Sequence, residues 1–191
     1  MDNYVSISTL NDFIFCPYSV YLHNVYADTD KDVYHAKPQT VGEIAHLTVD
    51  EKRTSNRRDE LQSLSVISHR YGLIGKIDIY RKAEKKLIER KYQLKRLYQG
   101  QIYQLWAQYL CMVEMGYDVG HLAFYEISRN RMISVQIPSD EQIIQFQRFV
   151  QMYRNYNPSE SINANINKCT HCIYCALCDK TEVDNVFQQG Y

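Results

Sequence analysis

No apolar run in this chain approaches the ~20 residues of a membrane-spanning helix, so a membrane span is not expected. Net charge is lacking too: 22 Lys plus Arg balance 22 Asp plus Glu. That argues against a surface coated in nucleic acid, although a neutral chain can still carry a local basic groove. The opening Met1-Asp2-Asn3-Tyr4 has neither a basic n-region nor an apolar h-region. No secretory signal is therefore expected, and the expected location is the cytoplasm. Internal repeats and low-complexity tracts are missing as well.

What is present is a globular composition. Of 191 residues, 45% are hydrophobic and 23% charged, which excludes disorder and fits one domain spanning 1–191 with its own core. A chain of this size folds without disulfides. In a reducing compartment its six cysteines point to metal instead. Tyrosine is abundant, at 17 residues, and offers stacking faces for bases as well as core.

The pattern along the chain predicts helix from Ser8 to Tyr26, broken at Cys16-Pro17 because proline disfavours helix at the residue before it. Asp28 to Gln39 reads as loop, Val41 to Arg53 as helix, and Arg53 to Glu60 as a charged loop tip. Leu64 to His69, Leu73 to Arg81 and Lys86 to Gln93 read as strands. Leu97 to Met115 has helical period and stops at Gly116. His121 to Ser128 and Arg131 to Ile137 read as a hairpin. Ser139, with Gln142 three residues on, opens a helix running to Asn155. From Pro158 the tail is irregular. The expected fold is α/β, with a mixed central sheet flanked by helices and a small metal-bound lobe joining the termini.

Asp78 closes one strand, and Glu89-Arg90-Lys91 follows eleven residues later in the next. Strand side chains alternate faces, so Glu89 and Lys91 point the same way, and a hairpin brings Asp78 beside Glu89. Two carboxylates on one face suit magnesium or manganese with open positions for water and a phosphate oxygen. A lysine beside them can hold the attacking water or stabilise developing charge. Glu-x-Lys alone is common by chance. Here the acids sit in apolar strand sequence, where a charge must be exposed, paired or functional. His46 by itself reads as an ordinary helix histidine, and Gln104 and Gln108 as polar residues sharing a helix face. Arg81 to Arg96 carries eight basic and two acidic residues, interleaved with Tyr80, Tyr92 and Tyr98, as a groove for a phosphodiester backbone would.

The tail reads Cys169-Thr-His-Cys172-Ile-Tyr-Cys175-Ala-Leu-Cys178. Four cysteines in ten residues are a strong metal signal. Two readings stand open: zinc held by the four alone, or an iron–sulfur cluster held by three of them plus Cys16, with one tail cysteine spare. Cys111 sits mid-helix among apolar residues and reads as inert core.

These parts form an ordered series: Phe15-Cys16-Pro17, His46, Asp78, Glu89-x-Lys91, Gln104-Leu-x-Ala-Gln108, and the cysteine cluster. The series resembles the CRISPR-associated Cas-four nucleases, within the RecB-like branch of the PD-(D/E)xK superfamily. The resemblance implies a RecB-like core and an iron–sulfur lobe formed by 1–26 with 158–191. It implies that His46, Asp78 and Glu89, with the Arg90 carbonyl, ligate manganese or magnesium. Lys91 would be the catalytic lysine, and Gln104 with Gln108 would organise the site and contact DNA. A [4Fe–4S] cluster would be held by Cys16, Cys169, Cys172 and Cys178, with Cys175 departing from the family spacing. The implied activity is cleavage of DNA ends in CRISPR adaptation, trimming prespacers for the Cas-one–Cas-two integrase in antiviral defence. The alternatives are a free-standing RecB-like exonuclease of repair or of a mobile element, and a non-catalytic DNA-end or integrase-binding module.

Overall fold

The computed structural model describes residues 4–26 and 59–181. The loop expected over Asp28 to Gln39, the helix expected over Val41 to Arg53, and His46 lie outside the described residues.

The chain forms two mixed sheets flanked by helices. A strand not foreseen from the sequence, β1 (Val5–Ser6), comes first. Helix α1 (Leu10–Phe15) and helix α2 (Pro17–Val25) follow, separated at the expected break. Cys16 is extended there, at φ −158° and ψ 116°. Pro17 opens α2, where its missing N–H leaves no donor unsatisfied.

Strands β2 (Glu60–Gln62) and β3 (Ser65–Ser68) then run into β4 (Leu73–Lys76) and β5 (Ile79–Arg81). The expected single strand Leu73 to Arg81 is therefore two. β4 pairs antiparallel with β3, and β5 with β2. Between them Ser63 takes a φ of 54°, and its N–H donates to the Asp78 carbonyl at 3.1 Å. One long hairpin thus bends at Ser63 and Asp78, and its halves enter different sheets. The bend sets Asp78 at a strand junction rather than inside a ladder.

The three-stranded sheet has order β1-β4-β3. The five-stranded sheet adds β6 (Lys86–Lys91), β7 (His121–Glu126) and β8 (Arg131–Val135), in order β2-β5-β6-β7-β8. β6 and β7 are parallel, joined by a crossover through helix α3 (Gln99–Glu114). At the end of α3, Gly116 (φ 87°) donates to Val113 O, and Tyr117 N donates to Met112 O, closing the helix with a left-handed glycine. Helix α4 (Asp140–Arg154) opens on the expected Ser139–Gln142 capping box. A short helix, α5 (Ile166–Cys169), lies in the tail.

The main core gathers residues such as Leu10, Phe13, Leu73, Leu87, Leu105, Met112, Phe124 and Phe146 between sheets and helices. Cys111 belongs to it; burial pushes its thiol up to about 12. A second, smaller core of Tyr18, Leu22 and Tyr174 packs with Cys16, Cys172 and Cys178. Two glycines allow the N-terminal segment to lie close on the rest. A Cβ at Gly75 would stand 2.9 Å from Ile7 Cβ, and one at Gly100 would stand 2.8 Å from Asn11 Cα.

Candidate functional site

The β5–β6 register pairs Ile79 with Ile88, so the next step along the hairpin sets Asp78 beside Glu89. The Arg90 N–H donates to Asp78 Oδ2 at 2.7 Å, fixing that carboxylate at the strand junction. Glu89 is 1% exposed. Three side chains bind it: Lys91 Nζ at 2.8 Å and Gln104 Nε2 at 3.0 Å on one oxygen, Gln108 Nε2 at 2.7 Å on the other. Gln104 Oε1 in turn accepts from Lys91 Nζ at 3.1 Å. Sequence spacing placed Gln104 and Gln108 one turn apart on α3, and that face is the one that meets β6.

Burial raises the Glu89 carboxyl above its ordinary value, and the Asp78 charge adds to the rise; Lys91 opposes it. Lys91 is held up by the same pair, against its own desolvation. Burying a carboxylate costs several kcal/mol even after relaxation. Each bond to a charged group returns roughly 1.5–3 kcal/mol. Glu89 is thus close to balance, and a further cation in the cavity would stabilise it.

That cavity has a volume of about 530 Å³. Asp78, Glu89, Lys91, Gln104 and Gln108 form one side. Ser6, Ser8, Asn11 and Asp12, from the segment leading into α1 and from α1 itself, form the other. The sequence reading did not single out Asp12. Its signal was a carboxylate on a short helix just before Cys16-Pro17, and nothing local marks such a residue as facing a site. Asp12 opens onto the cavity, yet enclosure raises its carboxyl, against the pull of His23 and Lys91.

The basic run of Arg81 to Arg96 is partly neutralised. Arg81 pairs with Glu60 at 2.8 Å, Lys85 with Asp118, and Lys86 with Glu84. Tyr80 does not belong to a groove: it is 4% exposed, and its hydroxyl donates to Asp118 O at 2.6 Å. Its position between paired strands puts the ring in the core. Tyr92 and Tyr98 are exposed, and Arg96 lies 4.4 Å over the Tyr98 ring.

Cys16, Cys169, Cys172, Cys175 and Cys178 all line a second cavity, of about 150 Å³. This is several times the ~30 Å³ share of one water, so it admits a polyatomic group. Among the described residues, no three His, Cys, Asp or Glu side chains are drawn together as one metal ion would require. The five cysteines thus share one cavity. His46, expected beside Asp78 and Glu89, lies outside the described residues, so only two side chains of that expected set are placed. Burial pushes the Cys172 thiol up to about 11, and Cys16, Cys178 and Cys169 are among its largest electrostatic influences. Cys16 and Cys169 act likewise on Cys178.

Two lysines flank the cysteines. Lys168 Nζ donates to Phe15 O at 2.8 Å and Ile14 O at 3.2 Å, capping the C-terminal end of α1. Lys180 lies 4.7 Å over the Tyr18 ring, and the Tyr18 hydroxyl donates to Asp179 at 2.6 Å.

The chain matches no protein-family model and no curated protein. Its structure is similar to the crystal structure of SSO0001, at a TM-score of 0.61 and 19% identity, over 93% of this chain and 87% of that one. At that identity the likeness establishes shared fold and nothing finer. Among the described residues no helix is long and apolar enough to cross a membrane.

Proposed function

We propose that this chain is a metal-dependent DNA nuclease of the RecB-like, Cas-four kind, acting on DNA ends in CRISPR adaptation with the Cas-one–Cas-two integrase as partner. The observation that carries the reading is the linked set Asp78, Glu89, Lys91 and Gln104 on one cavity wall, with Glu89 fully buried and bound by both Lys91 and Gln104. A buried ion pair kept open to a large cavity does little for packing, and it is the kind of arrangement that chemistry retains.

In this reading Asp78, Glu89, the Arg90 carbonyl and His46 would hold manganese or magnesium. The ion would supply Lewis-acid polarisation of the scissile phosphate. Lys91 offers an ammonium to the charge that develops on the phosphate oxygens. Gln104 fixes Lys91 and Glu89 relative to each other. Tyr92 and Tyr98, with Lys95 and Arg96 between them, provide stacking faces and cations for a strand entering the cavity. Cys16, Cys169, Cys172 and Cys178 would hold a [4Fe–4S] cluster in a lobe built from both ends of the chain.

Anaerobically purified protein incubated with end-labelled single-stranded and overhanging duplex DNA tests the reading. Cutting with manganese, none with chelator, and none from a Lys91→Ala protein of equal metal content is the expected outcome. Cutting that survives Lys91→Ala would reject the site. Absence of cutting by the wild type, with or without the integrase, would reject the nuclease.

A further inference from the structure

We propose that a second binding site, a pocket walled by tyrosines between α2, β1 and the end of α4, takes one unpaired base of a DNA strand, with the phosphate beside that base on Arg154. The nuclease reading supplies the class of ligand, and the proposal rests on it. The pocket has a volume of about 220 Å³. An apolar cavity of roughly 150 Å³ accepts a benzene ring, so this one has room for the ring system of a base. Tyr4, Tyr21, Tyr153 and Tyr156 line it, with Phe13 and Arg154.

The rings are held in place by the fold itself. Tyr153 lies 4.5 Å from Phe13 and Tyr156 5.5 Å, centre to centre. The Tyr153 hydroxyl is tied to Thr9 Oγ1 at 2.8 Å, and the Tyr4 hydroxyl to His69 Nδ1 at 2.5 Å. Tyr21 stacks on Tyr18 at 5.2 Å and 29°, and stays 40% exposed. Rings already fixed lose little freedom on binding. Stacking on them suits any base, because every base has a π-face.

Arg154 adds charge of the right sign. It is exposed, and it gives the fold only Nη2, on Tyr71 O and Gly72 O at 3.0 Å each. Gly72, at φ 57°, lets the guanidinium settle there, since a Cβ would collide with Nη2. Backbone carbonyls do not neutralise a guanidinium, and among the described residues Arg154 makes no ion pair. Its Nε and Nη1 carry three further donors, in the fork that arginine presents to phosphate. Among the described residues lining the pocket none is acidic. An apolar peptide side chain would use the rings and leave the guanidinium idle; a nucleotide uses both.

One segment separates this pocket from the carboxylate cavity. Val5 and Phe13 wall the pocket, while their neighbours Ser6 and Asp12 wall the cavity. A strand that crosses this segment reaches both.

Single-stranded oligonucleotides, each carrying one 2-aminopurine at a different position, test the site when titrated with the protein in chelator, where no strand is cut. One position should be quenched by the wild type. Tyr21→Ala should remove that quenching and lower affinity about tenfold, within the usual worth of one stacked base; Tyr21→Trp should keep both. Arg154→Gln should weaken binding and shrink the slope of log affinity against log salt by about 0.7, the share of one phosphate in a single strand. Circular dichroism and bound iron should match the wild type in all three variants. Unchanged quenching in Tyr21→Ala with an unchanged slope in Arg154→Gln would overturn the site and leave the nuclease standing. Binding that falls only together with circular dichroism or iron would make these residues structural, and would overturn it too. Loss of the integrase rather than of DNA on Tyr21→Ala would make the pocket a protein-docking surface, against the proposal. The expected quenching and slope in a protein that never cuts DNA would uphold the site and remove the nuclease. A wild type that binds no single strand would remove both.

Discussion

The amide of Cys16 donates to the carbonyl of Asp12 at 2.8 Å, and this bond joins the two cavities. Asp12 walls the carboxylate cavity; Cys16, one helical turn on, walls the cysteine cavity together with Ile14 and Phe15. Helix α1 is only six residues long. A helix that short is not stable alone, so its position is set by what grips its two ends.

Lys168 is one such grip, from 153 residues away along the chain. Replacing it with alanine removes two bonds to the last carbonyls of α1. The expected loss is about 1 kcal/mol, or roughly 2–4 °C in Tm for a chain of this size. Differential scanning calorimetry measures it, and the cleavage rate should fall in parallel.

In the proposed cluster assignment, serine at Cys16, Cys169, Cys172 or Cys178 should abolish bound iron and acid-labile sulfide, whereas Cys175→Ser should keep both. Colorimetric iron and sulfide assays on anaerobic protein decide this. Iron lost at Cys175 and kept at Cys178 would reverse the assignment.

Much of this was legible in the sequence, and the exceptions share a cause. Period and caps gave α3 and α4, and the proline gave the break at Cys16, because those signals are local. The alternation of strand faces brought Asp78 toward Glu89 because antiparallel register is nearly local in a hairpin. Missed were β1, β2 (whose Glu60 had been read as the end of a loop tip), the bend at Asp78, and Asp12. Two residues such as Val5 and Ser6 carry no period; they form a strand only because β4 offers them a parallel edge. The bend follows from which sheet each half joins, and Asp12 reaches the cavity only through the docking of α1 on α3. These are tertiary facts. Gly75 and Gly100 were their faint traces, since each marks a close approach.

Gly100 makes that docking testable. A methyl group there would meet Asn11 Oδ1 at 2.5 Å and Asn11 Cα at 2.8 Å, and the latter is backbone. Gly100→Ala should destabilise by roughly 1–3 kcal/mol, the range for overpacking. The helix-propensity gain of alanine offsets up to about 1 kcal/mol of it. Urea unfolding with an unchanged m-value would register the loss; a gain in stability would mean α1 sits farther from α3.

Glu126 predicts an acid-sensitive region. It is fully buried and accepts from Leu94 N at 3.0 Å and from Arg131 at 2.8 Å. The Leu94 bond, above all, lowers its carboxyl below 4.5, with Arg131 and Arg129 helping against desolvation. Because the folded value is depressed, the stabilisation is complete above the unfolded value and is lost as pH falls through the folded one. The protection factor for hydrogen exchange at Leu94, taken relative to the intrinsic rate at each pH, should therefore fall as the pH is lowered through the depressed value of Glu126. In Glu126→Gln that acid dependence should flatten.

The most direct test counts manganese and cutting in the same samples. Bound manganese is read by electron paramagnetic resonance in wild type and in Asp78→Asn/Glu89→Gln, with end-labelled DNA present. The account predicts manganese bound and DNA cut by the wild type, and both lost in the variant while its iron–sulfur absorbance and circular dichroism are unchanged. Undiminished cutting by the variant, or a wild type that binds no manganese, would contradict it.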